Sequence, residues 1–293
     1  MSNQTQPDQV RRGQLPELSD AEFSQWRELL ETRVGINLSP ERKPLFLSGL
    51  RARMREIGCD DYRAYYERLC QVRSVPEWAI LIDRLTVHET RFFRDPDALR
   101  LIESQLLPAF TEDSGRDLQA WSVGCASGEE AYTLAMLLDR ALPAGSGPRL
   151  GITATDISRP ALAAARAGEY PRRRLQGIPE ACRQDYCETV SKQRFRITER
   201  LRRRICFSPL NLAGLERFPL DGFDLVYCQN VLIYFDRNER HAILDRLAAR
   251  LAPGGMLVLA PGDVLSWSYP GLERIHCEGT LVYQRRVEPE VRD

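Results

Sequence analysis

The residues best placed to do chemistry lie around a turn of small side chains at 124–128, where the sequence reads GCASG. The apolar run at 118–123 predicts a buried strand before the turn, and the apolar spacing after it predicts the inner face of a helix. Small residues at such a turn let a ligand approach the backbone closely. We expect free N–H groups at the start of the helix to face that ligand. The turn therefore predicts a nucleotide-cofactor site at the carboxyl end of a strand.

The acidic residues around the turn indicate which cofactor is bound. Glu129 and Glu130 follow directly and would repel a pyrophosphate, but they would not repel an ammonium or a sulfonium group. The turn also lacks the Gly-Lys-Ser/Thr of a P-loop and the G-x-G-x-x-G spacing of dinucleotide sites. A second predicted strand at 149–155 precedes Asp156, whose carboxylate can accept hydrogen bonds from ribose hydroxyls. Together these residues predict a site for S-adenosylmethionine; the alternative is an ordinary glycine-bearing turn of an α/β protein.

The composition argues against several other classes of protein. The chain has 293 residues with 41 Lys and Arg against 41 Asp and Glu, so no overall charge draws it to nucleic acid or to a membrane. No apolar run reaches membrane-spanning length and no leader opens the chain, so we expect a cytoplasmic protein without membrane insertion. The 8 cysteines lack C-x-x-C spacing and the 3 histidines lack partners at metal-ligand spacing, which predicts reduced thiols and no bound metal. We expect a monomer.

The pattern of apolar residues divides the chain into successive parts. Residues 1–14 are too polar to pack and predict a disordered tail. Residues 15–85 have helical spacing and predict an N-terminal all-α domain. Residues 86–111 form a connecting segment and a helix, which act either as a simple linker or as a lid that contributes to the cofactor site. Residues 112–293 alternate strands with helices and end in a hairpin, which predicts a doubly wound, mostly parallel sheet.

Two groups of basic residues are candidates for binding a partner. Arg51, Arg53 and Arg55 lie on the second predicted helix, and Arg51 and Arg55 share the face opposite the apolar one. This face suits an acidic partner or is simply solvated. Residues 168–204 are rich in arginine, and RFRIT is expected to pair with RLRRRICF as a small antiparallel excursion from the sheet. We favour an acidic protein surface over nucleic acid as the partner, because only Phe195 is interleaved with the charge. The alternative is an insertion that is merely solvated.

Several stretches carry a resemblance to a known family. They are LTVHETRFFRD at 85–95, WSVGCASGEEAYTLAM at 121–136, ATDIS at 154–158, FSPLNL at 207–212 and CQNVLIYFD at 228–236, the last followed by a helix and PGG. With these motifs the chain resembles the CheR family of chemotaxis receptor glutamate O-methyltransferases.

The resemblance implies both a fold and an activity. The fold is α/β, that of a class I S-adenosylmethionine-dependent methyltransferase: a Rossmann-like, mostly parallel seven-stranded sheet, an N-terminal all-α domain and a small antiparallel β subdomain inserted at about 185–207. The activity is methyl transfer to glutamate carboxylates of a receptor's helical bundle, which gives glutamate methyl ester and S-adenosylhomocysteine. The helical domain, with its three arginines, and the basic β subdomain would recognise the receptor.

The resemblance also implies roles for particular residues. The implied cofactor contacts are His88, Thr90, Arg94, Glu130, Asp156, Asn211, Leu212, Gln229 and Asn230. Arg94 and Tyr234 would position the reacting groups, and the alternative for Arg94 is a salt bridge with Asp95 or Asp97. No general base is expected, because a glutamate side chain with a pKa of about 4.3 is already an ionised nucleophile at neutral pH.

The chain departs from the family at several positions. His88 stands where Asn is usual, Gln229 precedes Asn230 where Arg-Asn is usual, and LVLAPGDVLSW replaces a Gly-His-Ser-Glu continuation after PGG. These departures leave open a second hypothesis, an S-adenosylmethionine-binding signalling adaptor with weak or no catalysis. Residues 188–204 contain no glycine, so we expect an enzyme that is independent of a receptor's C-terminal pentapeptide. A third hypothesis, a nucleic-acid methyltransferase, is disfavoured by the zero net charge and by the lack of an N/D-P-P-Y-type motif.

Overall fold

The computed structural model of the protein describes residues 17–71, 75–86, 89–110, 116–142, 149–263, 266–277 and 279–287. The predicted tail at 1–14 and His88 lie outside the described residues. The described α-helices are α1 (Asp20–Val34), α2 (Lys43–Glu56), α3 (Tyr62–Cys70), α4 (Val75–Leu85), α5 (Pro96–Leu101), α6 (Glu129–Ala141), α7 (Arg159–Ala167), α8 (Glu180–Tyr186), α9 (Glu199–Arg202) and α10 (Arg237–Ala249). The described strands are β1 (Leu118–Val123), β2 (Leu150–Asp156), β3 (Glu169–Pro171), β4 (Cys187–Thr189), β5 (Arg194–Ile197), β6 (Ile205–Pro209), β7 (Phe223–Cys228), β8 (Leu251–Leu259), β9 (Leu272–Ile275) and β10 (Leu281–Arg285).

The N-terminal helical module consists of α1 to α4. Helix α1 begins at a capping box, in which the Ser19 hydroxyl accepts a hydrogen bond from the Glu22 N–H, and it ends at Gly35 with a φ of 74°. The apolar faces of the helices meet in a core that includes the buried residues Trp26, Leu30, Leu50, Met54, Tyr65 and Leu81. Burial of these faces, more than helix propensity, therefore holds the module together. Among the helices that the structure describes, none has the length and apolarity needed to cross a lipid bilayer.

One of the basic residues predicted to dock a partner is instead mostly covered by its ion pair within the helical module. Arg53 Nη2 pairs with Glu77 Oε2 at 2.7 Å, and the Arg53 side chain is only 14% exposed. The Tyr65 hydroxyl donates to the other Glu77 oxygen at 2.8 Å. Arg53 is thus not available for docking, and helical spacing could not show this because the covering residue comes from α4. Arg55 remains exposed, and Arg51 is half-buried.

Seven of the described strands form the main sheet, in the order β6-β2-β1-β7-β8-β10-β9. The pairs from β6 to β8 are parallel, and β10 is antiparallel to both of its neighbours. This confirms the predicted doubly wound, mostly parallel sheet and its terminal hairpin. The chain runs outward from β1 through β2 to β6 and then returns to β7 on the other side of β1. Ligands of open α/β sheets bind where the strand order reverses in this way, at the carboxyl ends of the strands.

The insertion between β2 and β6 forms a small antiparallel sheet in the order β3-β5-β4. Its existence was predicted, but the expected pairing was wrong. RFRI in β5 pairs with β3 and β4, whereas RLRR falls in and directly after α9 and ICFSP forms β6 of the main sheet. The apolar residues Ile205 and Phe207 of β6 are buried by the main sheet, and this burial decides their pairing.

Acidic residues compensate much of the basic charge of the insertion. Glu169 pairs with Arg194 and Arg196 at 2.5 and 3.1 Å. Asp139 of α6 pairs with Arg200 at 2.9 Å. The insertion is therefore less positive than its sequence alone indicates.

Candidate functional site

A cleft opens at the carboxyl ends of β1, β2 and β7, where the strand order reverses. It holds about 1100 Å³ of space between protein atoms, its open mouth included. The predicted site residues that line it are Thr90, Arg94, Glu130, Asp156, Asn211, Leu212, Gln229, Asn230 and Tyr234. The structure thus brings together all of the predicted site residues that it describes, and His88 lies outside the described residues. Their roles as cofactor contacts stay a prediction.

The glycines of the turn after β1 make room for protein, not only for a ligand. Gly124 has a φ of +73°, and a Cβ there would lie 2.2 Å from Val231 Cγ2. Gly128 has a φ of +94°, and a Cβ there would lie 2.8 Å from Ala165 Cβ. Both positions therefore require glycine, because the backbone is left-handed and a neighbouring segment occupies the space.

The backbone N–H groups of the turn are used within the protein. Gly124 N–H and Cys125 N–H both donate to the Thr155 carbonyl, at 2.7 and 2.9 Å. Ala126 N–H donates to Asp156 Oδ2 at 2.8 Å. These three N–H groups fasten the turn to the end of β2. The expectation that free N–H groups at the start of the helix face a ligand stays a prediction.

Asp156 is held in one position by the backbone on both sides. Its Oδ1 accepts from Ser158 N–H at 2.8 Å and its Oδ2 accepts from Ala126 N–H at 2.8 Å, and the residue is 8% exposed. The Ser158 hydroxyl in turn donates to Asp83 Oδ1 of α4 at 2.5 Å. A carboxylate oxygen can accept more than one hydrogen bond, so these two bonds do not by themselves use up the acceptor capacity of Asp156.

The two acidic residues that open α6 have different environments. Glu130 lines the cleft, and its Oε1 accepts from the Ser122 hydroxyl at 2.7 Å. Glu129 has a side chain that is 1% exposed and pairs with Arg174 at 2.7 Å. Burial raises the pKa of Glu129, although the hydrogen bond from Ser127 and the charge of Arg174 oppose the shift. The predicted acidic pair thus presents one carboxylate to a ligand, because Arg174 neutralises the other.

The guanidinium of Arg94 lies at the mouth of the cleft. Its Nη1 donates to the Glu89 carbonyl at 3.2 Å, and Arg94 is exposed. The alternative salt bridge does not form: Asp97 pairs with Arg100, and Asp95 accepts a hydrogen bond from the Ala98 N–H at the start of α5. Arg94 is therefore placed to meet a ligand or substrate carboxylate.

Amide side chains line the other side of the cleft. Gln229 is buried, and its Nε2 donates to Asp95 Oδ2 at 2.7 Å, which ties the end of β7 to the connecting segment. Asn211 Oδ1 accepts from Ala213 N–H at 3.0 Å, which leaves the amide NH₂ for other contacts. Leu212 is buried beside it and adds apolar surface. Asn211 is thus both a turn former and a cleft residue.

Strained backbone is concentrated at this cleft. Within the described ranges, the residues other than glycine with a positive φ are Phe93 at 50°, Ala126 at 47° and Asn230 at 60°. Ala126 and Asn230 line the cleft, and Phe93 precedes Arg94. Such conformations cost about 1–3 kcal/mol each and cluster at functional sites. Their location supports a functional role for the cleft.

The helical module forms one wall of the cleft. Val34 and Ile36, at the end of α1, line it. Asn37 N–H donates to the Tyr234 carbonyl at 2.8 Å, and the guanidinium of Arg42 lies 4.8 Å from the centre of the Tyr234 ring. Sequence reasoning missed these contacts, because apolar residues at a helix end look like ordinary core.

Tyr227 is a further cleft residue that sequence reasoning missed. It sits in the apolar run of β7 and is 3% exposed, so its pattern is that of a core residue. Burial raises the pKa of its hydroxyl well above the usual value, and the nearby carboxylates of Glu130 and Asp95 raise it further. Tyr227 therefore presents a neutral hydroxyl at neutral pH.

The side chains of the cleft fit S-adenosylmethionine. Carboxylates suit its ammonium and ribose groups, and side-chain amides with apolar neighbours suit a planar base. The residues that would hold it are Glu130, Asp156, Asn211 and Leu212. In the described part of the chain, no group of three or more His, Cys, Asp or Glu residues is arranged to hold a metal ion.

The chain is similar to known proteins along most of its length. The family described as CheR methyltransferase, SAM binding domain, matches residues 88–277, and the CheR methyltransferase all-alpha domain matches residues 21–86. The chain is 30% identical over 274 residues to chemotaxis protein methyltransferase 1 of Pseudomonas aeruginosa, which is 92% of this chain and 99% of that protein. It is 30% identical over 250 residues to the chemotaxis protein methyltransferase of Borreliella burgdorferi, which is 83% of this chain and 88% of that protein.

Proposed function

The chain belongs to the CheR methyltransferase family, and from this premise we propose that it methylates glutamate side chains of a chemotaxis receptor with S-adenosylmethionine as methyl donor. The products are glutamate methyl ester and S-adenosylhomocysteine. The observation that carries the proposal is the cleft at the strand reversal, in which the fixed carboxylate of Asp156 faces the same space as Arg94 and Tyr234.

Bound S-adenosylmethionine supplies an electrophilic methyl group. The protein therefore needs to bind the cofactor, orient the incoming carboxylate and exclude water. Asp156 and Glu130 bind the cofactor from the side of β1 and β2. Arg94 and Tyr234 orient the incoming carboxylate at the mouth. Orientation of two reactants can lower the reaction barrier by roughly 7–11 kcal/mol. No general base is required, because the glutamate side chain is already ionised.

The receptor is proposed to dock beside the cleft on the helical module. Arg51 and Arg55 border a surface groove on α2 together with Lys43, and an acidic helical bundle would complement their charge. Arg172 and Arg173 of the insertion are also exposed and are further candidates for contact with an acidic receptor.

Methylation is proposed to be independent of a receptor's C-terminal pentapeptide. The turn between β4 and β5 is tight: Val190 N–H and Ser191 N–H both donate to the Arg194 carbonyl at 3.1 Å. Without glycine, this turn has little freedom to open around a peptide.

The test is methyl transfer to receptor-enriched membranes. The protein is incubated with S-adenosylmethionine tritiated in its methyl group, and the label released as volatile methanol by alkali is counted, because carboxyl methyl esters are alkali-labile. We expect release from wild type, a large loss in Arg94→Ala, and equal rates on receptors with and without the terminal pentapeptide.

Other outcomes would favour the competing hypotheses. Binding of S-adenosylhomocysteine without any transfer would favour the adaptor. Alkali-stable label in nucleic acid, with a steep salt dependence of binding, would favour a nucleic-acid methyltransferase.

A further inference from the structure

We propose that Arg174, which lies behind the cleft, is a positioning residue that holds the segment at 89–94 against the turn after β1. The expected effect of Arg174 on cofactor affinity rests on the proposed function. Its expected effect on the order of the segment at 89–94 does not. Arg174 belongs to the short 3-10 turn Arg172–Gly177 that follows β3. It is not among the residues that line the cleft.

The guanidinium of Arg174 joins three elements at one nitrogen. Its Nη1 donates to Glu129 Oε1 at 2.7 Å and also to the Thr90 carbonyl. Glu129 opens α6, and Thr90 and Arg94 line the cleft. Arg174 thus fastens the connecting segment to the start of α6 from the side of the small sheet.

Glu129, the partner of Arg174, is held in place by a second set of hydrogen bonds. The second Glu129 oxygen accepts from the Ser127 hydroxyl at 2.6 Å, and the Tyr170 hydroxyl of β3 donates to the Ser127 carbonyl at 2.7 Å. The Glu129 side chain is 1% exposed. A carboxylate this deeply buried needs a cation beside it, so the position of Arg174 is strongly constrained.

A further hydrogen bond ties the segment at 89–94 to α6. Phe93 N–H donates to the Thr133 hydroxyl at 3.0 Å. The bond from Arg174 to Thr90 and the bond at Phe93 therefore hold the stretch that precedes Arg94, and buried Phe92 packs between them. Loss of the bond to Thr90 loosens the start of this stretch, and binding then has to order it.

The experiment isolates the bond to Thr90 from the ion pair. Glu129→Gln removes the buried charge and keeps Arg174, and the double variant Arg174→Ala/Glu129→Gln then removes the guanidinium without leaving a buried carboxylate unpaired. Arg173→Ala is the matched control, because Arg173 is exposed in the same turn. Backbone hydrogen exchange of 89–94, melting temperature and the calorimetric Kd for S-adenosylhomocysteine are measured on each.

We expect faster exchange confined to 89–94 in the double variant than in Glu129→Gln, and a Kd for S-adenosylhomocysteine weakened roughly tenfold. Arg173→Ala should match wild type in both. Unchanged exchange at 89–94, or exchange that rises evenly over the whole chain, would overturn the positioning role. If wild type binds no S-adenosylhomocysteine, the proposed function fails, and the exchange comparison still decides the role of Arg174.

Discussion

Replacement of Asp156 by Asn tests the cofactor site most directly. Each carboxylate oxygen accepts one backbone N–H at 2.8 Å, from Ala126 and from Ser158. Asn has one oxygen, so Asp156→Asn leaves an amide NH₂ facing a second N–H donor. Loss of one hydrogen bond to a charged group costs about 1.5–3 kcal/mol of the free energy of unfolding. The same loss of charge at the acceptor for ribose should weaken binding of S-adenosylhomocysteine by roughly ten- to 150-fold.

The assay is calorimetric titration with S-adenosylhomocysteine, accompanied by a urea unfolding curve. Asp61→Asn is the control, because Asp61 also caps a backbone N–H, that of Arg63 at 2.9 Å, but lies at the start of α3 outside the cleft. The control should bind as wild type does. A folded Asp156→Asn protein that binds S-adenosylhomocysteine within about twofold of wild type would refute the role of Asp156 as a cofactor ligand.

Three other substitutions have expected outcomes. Gly124→Ala should lower the free energy of unfolding by about 2–5 kcal/mol in urea titration, because its φ is +73° and the new Cβ would lie 2.2 Å from Val231 Cγ2; an unchanged midpoint would contradict the geometry. Tyr234→Phe should keep the Kd for S-adenosylhomocysteine within about twofold but slow methyl transfer roughly tenfold or more, since it removes a hydroxyl that orients the substrate; an equal rate would exclude that role. The Arg53 guanidinium lowers the pKa of Glu77 from 4.5, so ionised Glu77 stabilises the fold above that pH and the stabilisation is lost as the pH falls through the lowered value. In urea titrations over roughly pH 6 to 3, Glu77→Gln should therefore be less stable than wild type at about pH 6 and should lose less stability as the pH falls.

Local patterns in the sequence determine much of the fold. The helical spacing at 15–85 becomes helices α1 to α4, and the hairpin expected at the end of the chain is β9 with β10. These elements were predictable because apolar periodicity and glycine turns act over a few residues. The order of strands and helices also follows from the sequence, since alternation of the two favours a parallel sheet.

The tertiary structure alone decides which polar groups meet. Glu129 and Glu130 are adjacent in sequence, yet Arg174 neutralises one and the cleft receives the other. Arg53 shares a helix with exposed Arg55, yet it is covered by Glu77 of α4. These partners lie 24 to 45 positions apart in the chain. Periodicity indicates which face of an element is buried. The partner of a charged side chain depends instead on how distant elements pack. A buried charge is stable only where that packing places a counter-charge beside it.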